Sequence, residues 1–258
     1  MNESAPRRCV LILGGTSEAR DLAAALDRAG ISVVSSLAGR VARPLLPPGE
    51  VRIGGFGGPE VLASWLVEHG VVAVVDATHP FAERMSASAS MACDRTGVPL
   101  LRLDRPGWRE RPDDRWHWVA DLHAAATVAP SLGRRILLTI GRQGVDAFAH
   151  VSSAWFLVRC IDAPSPPLPP QCAILLDRGP YTLAGELDLI DRHAIDAIVT
   201  KDSGGAPTEA KLEAARLRGL PVVVLRRPVR VGVASVSDVA GAVEWVRSAL
   251  DAGRDAGR

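Results

Sequence analysis

Short runs of β-branched and leucine residues alternate along this chain with alanine-rich segments of helix length, and that rhythm leaves few folds open. Residues 9–13, 31–37, 71–76 and 98–103 read as strands, and 17–29, 59–69 and 82–96 space their apolar residues as helices do. Such alternation makes a parallel sheet covered by helices. The second half repeats it, with strands near 135–140, 155–160, 173–177, 195–200 and 221–225 and helices near 121–129, 182–193, 207–218 and 237–250. The expected fold class is α/β, with two Rossmann-like parallel-sheet domains that carry helices on both faces.

Between the halves, "DRPGWRERPDDRWHW" is dense in proline, charge and tryptophan and has no period, which predicts a boundary near residues 104–116. The predicted domains are therefore 1–108, the dinucleotide-binding half, and 109–258, with the substrate site in the cleft between them. The prolines of "DAPSPPLPP" (162–170) withhold backbone donors, so this stretch reads as a stiff surface connection. Residues 74–106 and 196–228 match without a gap, Thr78 with Thr200, Gly97 with Gly219 and Pro99 with Pro221, which suggests two related strand–helix–strand units.

Composition narrows the function classes. With 47% apolar and 23% charged residues, the chain has ample material for a core. Its 30 basic and 29 acidic residues nearly cancel, so no global field draws it to nucleic acid or an anionic membrane. Cys9, Cys93, Cys160 and Cys172 stand too far apart for a zinc or dithiol motif and are expected as buried hydrophobes, with no metal bound. Neither a signal peptide nor a spanning segment is legible, and a cytoplasmic protein is expected. Lysine occurs only at Lys201 and Lys211, arginine being the default cation.

The first strand runs into "GGTSEAR". In a dinucleotide fingerprint the first glycine turns the chain tightly, the second lets the backbone approach pyrophosphate and the third packs helix on strand. Gly14, Thr16 and Ala19 take those places, so the glycine turn is non-standard; Gly15, Thr16, Ser17 and Glu18 can still present amides and hydroxyls to a phosphate at a helix N-terminus. A carboxylate for the ribose hydroxyl is expected about 20 residues on. The corresponding stretch, "VVSSLAGR", has Ser35, Ser36 and Arg40 instead, which suits a 2′-phosphate and hence NADPH over NADH.

Further candidates cluster where α/β sheets place their chemistry, at strand ends. After the third strand come Thr78, His79 and Pro80, with His79 read either as a proton donor or ribose clamp or as a cap of the next helix. After "AIVT" comes Lys201, a lysine able to deliver a proton, followed by Ser203 and Gly204 in a loop suited to phosphate or ribose. "LLTIGRQGVDAF" offers Thr139, Gly141, Arg142 and the carboxylate of Asp146. Arg102, Arg105, Arg109, Arg226 and Arg227 are candidate forks for carboxylates, Trp108, Trp116 and Trp118 a candidate apolar wall or interdomain packing, and Lys211 a surface partner for glutamate. A short-chain-type oxidoreductase is excluded, because Tyr181 has Gly185 four places on instead of lysine.

The segments "LILGGTSEARDLA", "DATHPFAERMSASASMAC", "GVPLLRLDRPGW", "LLTIGRQG", "GPYTLAGE" and "VTKDSGGAPTEAKLEAARLRGLPVVVLRRP" resemble the precorrin-6A reductase family of cobalamin biosynthesis over nearly the whole chain. The resemblance implies NADPH-dependent reduction of one carbon–carbon double bond of precorrin-6A to precorrin-6B, without metal or flavin, on a Rossmann-like fold lacking the standard glycine fingerprint. It also implies a tetrapyrrole as partner, with hand-over to neighbouring pathway enzymes. The alternatives are an NADH-dependent cobalt-precorrin-6A reductase and a non-catalytic NAD(P)-sensing protein.

Overall fold

The structure, a computed structural model, describes residues 8–39, 44–229 and 232–255, with the backbone alone for 253–255. In chain order, β1 (Cys9–Leu13), α1 (Ser17–Arg28), β2 (Val33–Leu37), β3 (Glu50–Ile53), α2 (Pro59–Glu68), β4 (Val71–Asp76), α3 (Glu83–Thr96) and β5 (Leu100–Leu103) come first. Next are β6 (Arg115–Val119), α4 (Leu122–Leu132), β7 (Arg135–Thr139), β8 (Trp155–Cys160), β9 (Cys172–Leu176), α5 (Leu183–His193), β10 (Ala197–Lys201), α6 (Ala210–Leu217) and β11 (Pro221–Leu225). β12 (Ala234–Val236) and α7 (Val239–Asp255) close the chain. No helix among the described residues is long and apolar enough to cross a membrane.

Two six-stranded sheets result, ordered β12-β5-β4-β1-β2-β3 and β6-β11-β10-β7-β8-β9. Every pairing is parallel. Alternation along β1 shows why both faces are covered. Val10 and Ile12 pack with Leu22 and Leu26 of α1 and Ala242 and Val246 of α7, while Leu11 and Leu13 pack with Leu62 and Leu66 of α2 and Ala89 and Cys93 of α3. Each valine, leucine or isoleucine among them, fully buried, contributes about 1.5–3 kcal/mol, which only cover on both faces can realise. In the second sheet Leu137, Leu157, Ile198 and Val224 share a core with Leu189 and Ile190 of α5 and Leu212 of α6. α4 packs on β10 and β11.

The division of the chain differs from the predicted one. One unit is 1–105 with 228–258, the other 106–227. The expectation of a 109–258 domain is therefore corrected: β12 pairs with β5, Ala234 with Leu101 and Val236 with Leu103, and α7 packs on α1 and β4. The chain leaves β5 not for a sixth strand of its own sheet but for β6, which pairs with β11 in the other. β6 falls inside the stretch that reads as aperiodic boundary because it alternates charge with tryptophan, and β3 and β12 are short, polar edge strands. Trp116 of β6, a candidate wall or interdomain residue, is buried in the second core.

The internal match holds at one end only. Gly97 and Gly219 both succeed a helix with positive φ (72° and 64°), a conformation that favours glycine, and Pro99 and Pro221 both precede or open a strand. Thr78 and Thr200 do not correspond. Thr200 lies in register with Thr139 and Val224, the place that Asp76, in register with Leu13 and Arg102, holds in the first sheet.

Candidate functional site

In the first sheet the strand order reverses between β1 and β4, and the segments leaving these strands lie side by side. Gly14 donates its amide to the Ser36 carbonyl at 2.9 Å. The residue that must be glycine is the next one: Gly15 has φ +114°, whereas a Cβ at Gly14 would meet Leu37 and Ala19 at ordinary contact distances of 3.4 and 3.5 Å. Thr16 then caps α1. Its Oγ1 accepts from the Ala19 amide at 3.1 Å and donates to the Ala77 carbonyl at 2.8 Å, so one hydroxyl starts the helix and ties both loops. Glu18, in the first helical turn, is met by Arg105 Nη1 at 2.7 Å and by the Ser17 hydroxyl at 3.1 Å. Its charge is thereby offset where the helix dipole favours an anion. Thr16, Glu18, Ala77, Thr78, Pro80 and Arg105 line one small cleft.

This start of α1 fits the pyrophosphate of a nicotinamide cofactor. At the end of β2 the described residues, Ala38 and Gly39, bring no carboxylate; Arg40, the expected 2′-phosphate ligand, lies outside the described residues. A larger cavity of about 520 Å³ opens at the opposite end of the strands, where β4 begins, lined by Val71, Pro99 and Trp245 among others. It carries none of the chemistry-bearing groups.

The end of β4 is held by a buried ion pair. Asp76 Oδ1 accepts from the Thr78 hydroxyl and amide at 2.6 and 3.1 Å, and Oδ2 accepts from Ser86 Oγ at 2.5 Å and Arg102 Nη1 at 3.0 Å. Arg102, expected as a fork for substrate carboxylates, is thus already committed and buried, a correction whose physical reason is the cost of leaving Asp76 unpaired. His79 Nδ1 accepts from the Phe81 amide at 3.2 Å, in the turn before α3, whose N-cap Ala82 has no side-chain cap bond.

The second sheet reverses between β7 and β10. Thr139 closes β7 and donates to the Val199 carbonyl at 3.1 Å; Gly141 comes soon after with φ +77°, and Arg142 is exposed. Asp146 is exposed as well, in a single 3₁₀ turn, Val145–Phe148. At the end of β10, burial pushes the Lys201 amine below the usual lysine range. Asp202, not among the residues expected at the site, organises the loop beyond it. Its carboxylate accepts from the Trp108 amide at 3.0 Å and pairs with Arg227 at 3.3 Å, while Arg227 also donates to its carbonyl at 2.8 Å. Gly107 passes so close that a Cβ would come within 2.6 Å of that carboxylate, and Gly204, at φ +64°, packs against the Pro106 carbonyl. Ser203 turns back through its amide to the Lys201 carbonyl at 2.7 Å. Arg227 is thereby a loop tether, not a free fork, while Arg226 is exposed with its guanidinium 5.0 Å from the Trp118 ring.

Lys211 corrects another expectation: it is buried, not a surface cation, and lies over the Trp108 ring at 4.5 Å. The sequence signal was available in its rarity, but a lysine at helical spacing beside glutamates reads as solvated until the packing is known.

The family described as Precorrin-6x reductase CbiJ/CobK matches residues 9–247. The chain belongs to that family. It is 55% identical over 239 residues to a protein of Rhodococcus erythropolis named precorrin-6A reductase, covering 92% of this chain and 96% of that one. A protein of Priestia megaterium named cobalt-precorrin-6A reductase is 32% identical, with 85% and 90% covered. A solved structure titled CobK precorrin-6A reductase superposes with a TM-score of 0.88 at 41% identity, over 94% of this chain and 96% of its own.

Proposed function

We propose that this chain reduces one carbon–carbon double bond of precorrin-6A, giving precorrin-6B, with NADPH as reductant. The observation that carries the reading is the 55% identity to a relative named for that substrate, against 32% to one named for its cobalt form. The capped start of α1 at the β1/β4 reversal supports a dinucleotide. NADPH, when bound, supplies the hydride; Gly15, Thr16, Ser17 and Glu18 hold its pyrophosphate, with Thr78 and Pro80 beside them. Ser36 and Arg40 meet the 2′-phosphate in this reading, Ser203 and Gly204 contribute from the β10 loop, and Thr139, Gly141, Arg142 and Arg226 meet substrate carboxylates.

A proton must reach the carbon next to the one that receives the hydride. Lys201 is the donor in this reading, because burial already lowers its proton affinity; His79 and Asp146 are the lesser candidates. The test is NADPH oxidation monitored at its near-ultraviolet absorbance, with precorrin-6A and with its cobalt form, for wild type, Lys201→Met and Lys201→Arg. Substrate-dependent turnover should fall roughly 10²–10⁴-fold in both variants, since guanidinium does not release a proton near neutrality. Full activity in Lys201→Arg removes Lys201 as donor, and turnover of the cobalt substrate alone overturns the substrate assignment.

A further inference from the structure

Beneath the β10 loop lies a set of charges that the reaction does not use. Arg159, near the end of β8, and Glu186, in the first turn of α5, form an ion pair at 2.8 Å, 4% and 1% exposed. The Arg159 guanidinium also lies over the Tyr181 ring at 3.9 Å. Glu186 Oε2 is buried and has no hydrogen-bond partner among the described residues. Into these surroundings α6 sends Lys211, whose Nζ donates to the Thr208 carbonyl at 2.5 Å beside the Trp108 ring. Trp108 is the residue whose amide holds Asp202, and Thr208 belongs to the 3₁₀ turn Ala206–Thr208, whose Pro207 carbonyl accepts from the Tyr181 amide at 3.1 Å. Lys211 therefore grips both ends of the loop that succeeds Lys201.

We propose that Lys211 is a positioning residue whose ammonium clamps the 202–209 loop through the Thr208 carbonyl and the Trp108 ring, and that losing its proton loosens that loop. The geometry explains the choice of lysine in an arginine-rich chain. An ammonium makes a charge-assisted bond roughly twice as strong as a neutral amine does, and only lysine can change between the two states in water. Three charged groups act on it: Arg159 from β8, which repels it, and Glu186 from α5 and Glu209 from the approach to α6, which attract it. Glu209 is shared with exposed Arg111 at 3.5 Å. Burial is the largest influence and outweighs the carboxylates, bringing Lys211 down to about 7. The clamp is thus closed on the acid side of neutrality and opens as pH rises through it. Its effect on ligands rests on the proposal that Ser203 and Gly204 touch cofactor.

The test uses the full chain labelled with carbon-13 at lysine Cε, which gives two resonances because lysine occurs at only two positions. Lys201→Arg identifies the Lys211 signal. A midpoint near 7, with amide-exchange protection of residues 203–209 falling roughly tenfold through the same range after correction for intrinsic exchange, is the expected result. A midpoint near the ordinary lysine value of about 10.4, or loop protection that ignores the titration, overturns the clamp. Both readouts come from the wild-type chain, so they do not depend on a variant that folds. NADPH affinity over the same range separates the two layers: if the loop loosens and affinity is unchanged, the clamp stands and the placement of Ser203 and Gly204 at the cofactor fails.

Discussion

The two sheets share one order over five strands, β5-β4-β1-β2-β3 and β11-β10-β7-β8-β9, yet they differ in the segment that leaves the first of these in sequence, β1 and β7. After β1, Gly15 turns the chain at φ +114° and Thr16 opens a helix of twelve residues; after β7, Gly141 turns it at φ +77° and only the four-residue turn Val145–Phe148 is formed. Strand order creates a crevice in both places, but only the first is met by the aligned amides and dipole of a full helix, which favour an anion. The second unit offers side chains instead: half-buried Lys201 and a loop braced by Asp202. The second difference lies one strand over. Asp76 and Arg102 make a buried ion pair across the strand ends where the second sheet has Thr200 beside Val224, so the loop carrying Thr78 is anchored within the sheet, whereas its counterpart takes its ion pair beyond the strands, between Asp202 and Arg227.

The largest effect expected from breaking this contrast comes at the ion pair. Arg102→Val strands the Asp76 carboxylate and should cost about 3–5 kcal/mol, read from the urea midpoint. The double variant Asp76→Thr, Arg102→Val copies the second sheet and should recover most of that stability, while cofactor affinity stays low because Thr78 has lost its anchor. A cost under about 1 kcal/mol for the single variant means the pair is not what holds β4.

Gly15→Ala and Gly141→Ala form the next comparison. A Cβ at either position meets nothing within 4 Å, so each substitution costs only backbone strain, about 1–3 kcal/mol. Cofactor affinity should fall roughly tenfold for Gly15→Ala and stay unchanged for Gly141→Ala, as titration of bound NADPH would show. Equal losses would mean that both turns hold the dinucleotide.

Lys211→Met gives the smallest shift, and its sign depends on pH. With its amine lowered to about 7 in the fold and near 10.4 when unfolded, the native state binds fewer protons between those values. Wild-type stability therefore gains from this residue as pH rises from 7 towards 10, and below 7 the buried charge is a cost. The Met variant should melt a few degrees higher relative to wild type at pH 6 than at pH 9. A difference that does not vary with pH would show an ordinary lysine.

Most of the fold could be read from the chain because its signals are local. Four consecutive apolar residues in β1, the Thr16 cap and the glycines after α3 and α6 each act within a few positions, and the family segments lie around them. The strands that escaped, β3, β6 and β12, are edge strands with one open side, so their residues need not be apolar. The return of β12 to the first sheet escaped for the same reason. Which edge a short strand joins depends on pairing with β11 or β5, far away in sequence.

At the candidate site the sequence by itself determined which residue types gather at the strand ends and which family they resemble. Tertiary structure decided which charges are already committed. Arg102, Arg105 and Arg227 looked like equivalent arginines; packing turned them into partners of Asp76, Glu18 and Asp202. Lys211 looked solvated, and burial beside Arg159 and Glu186 made it titratable near neutrality. Local propensity is written in neighbouring residues, whereas the desolvation and pairing that set a charge's state depend on atoms brought together across the fold.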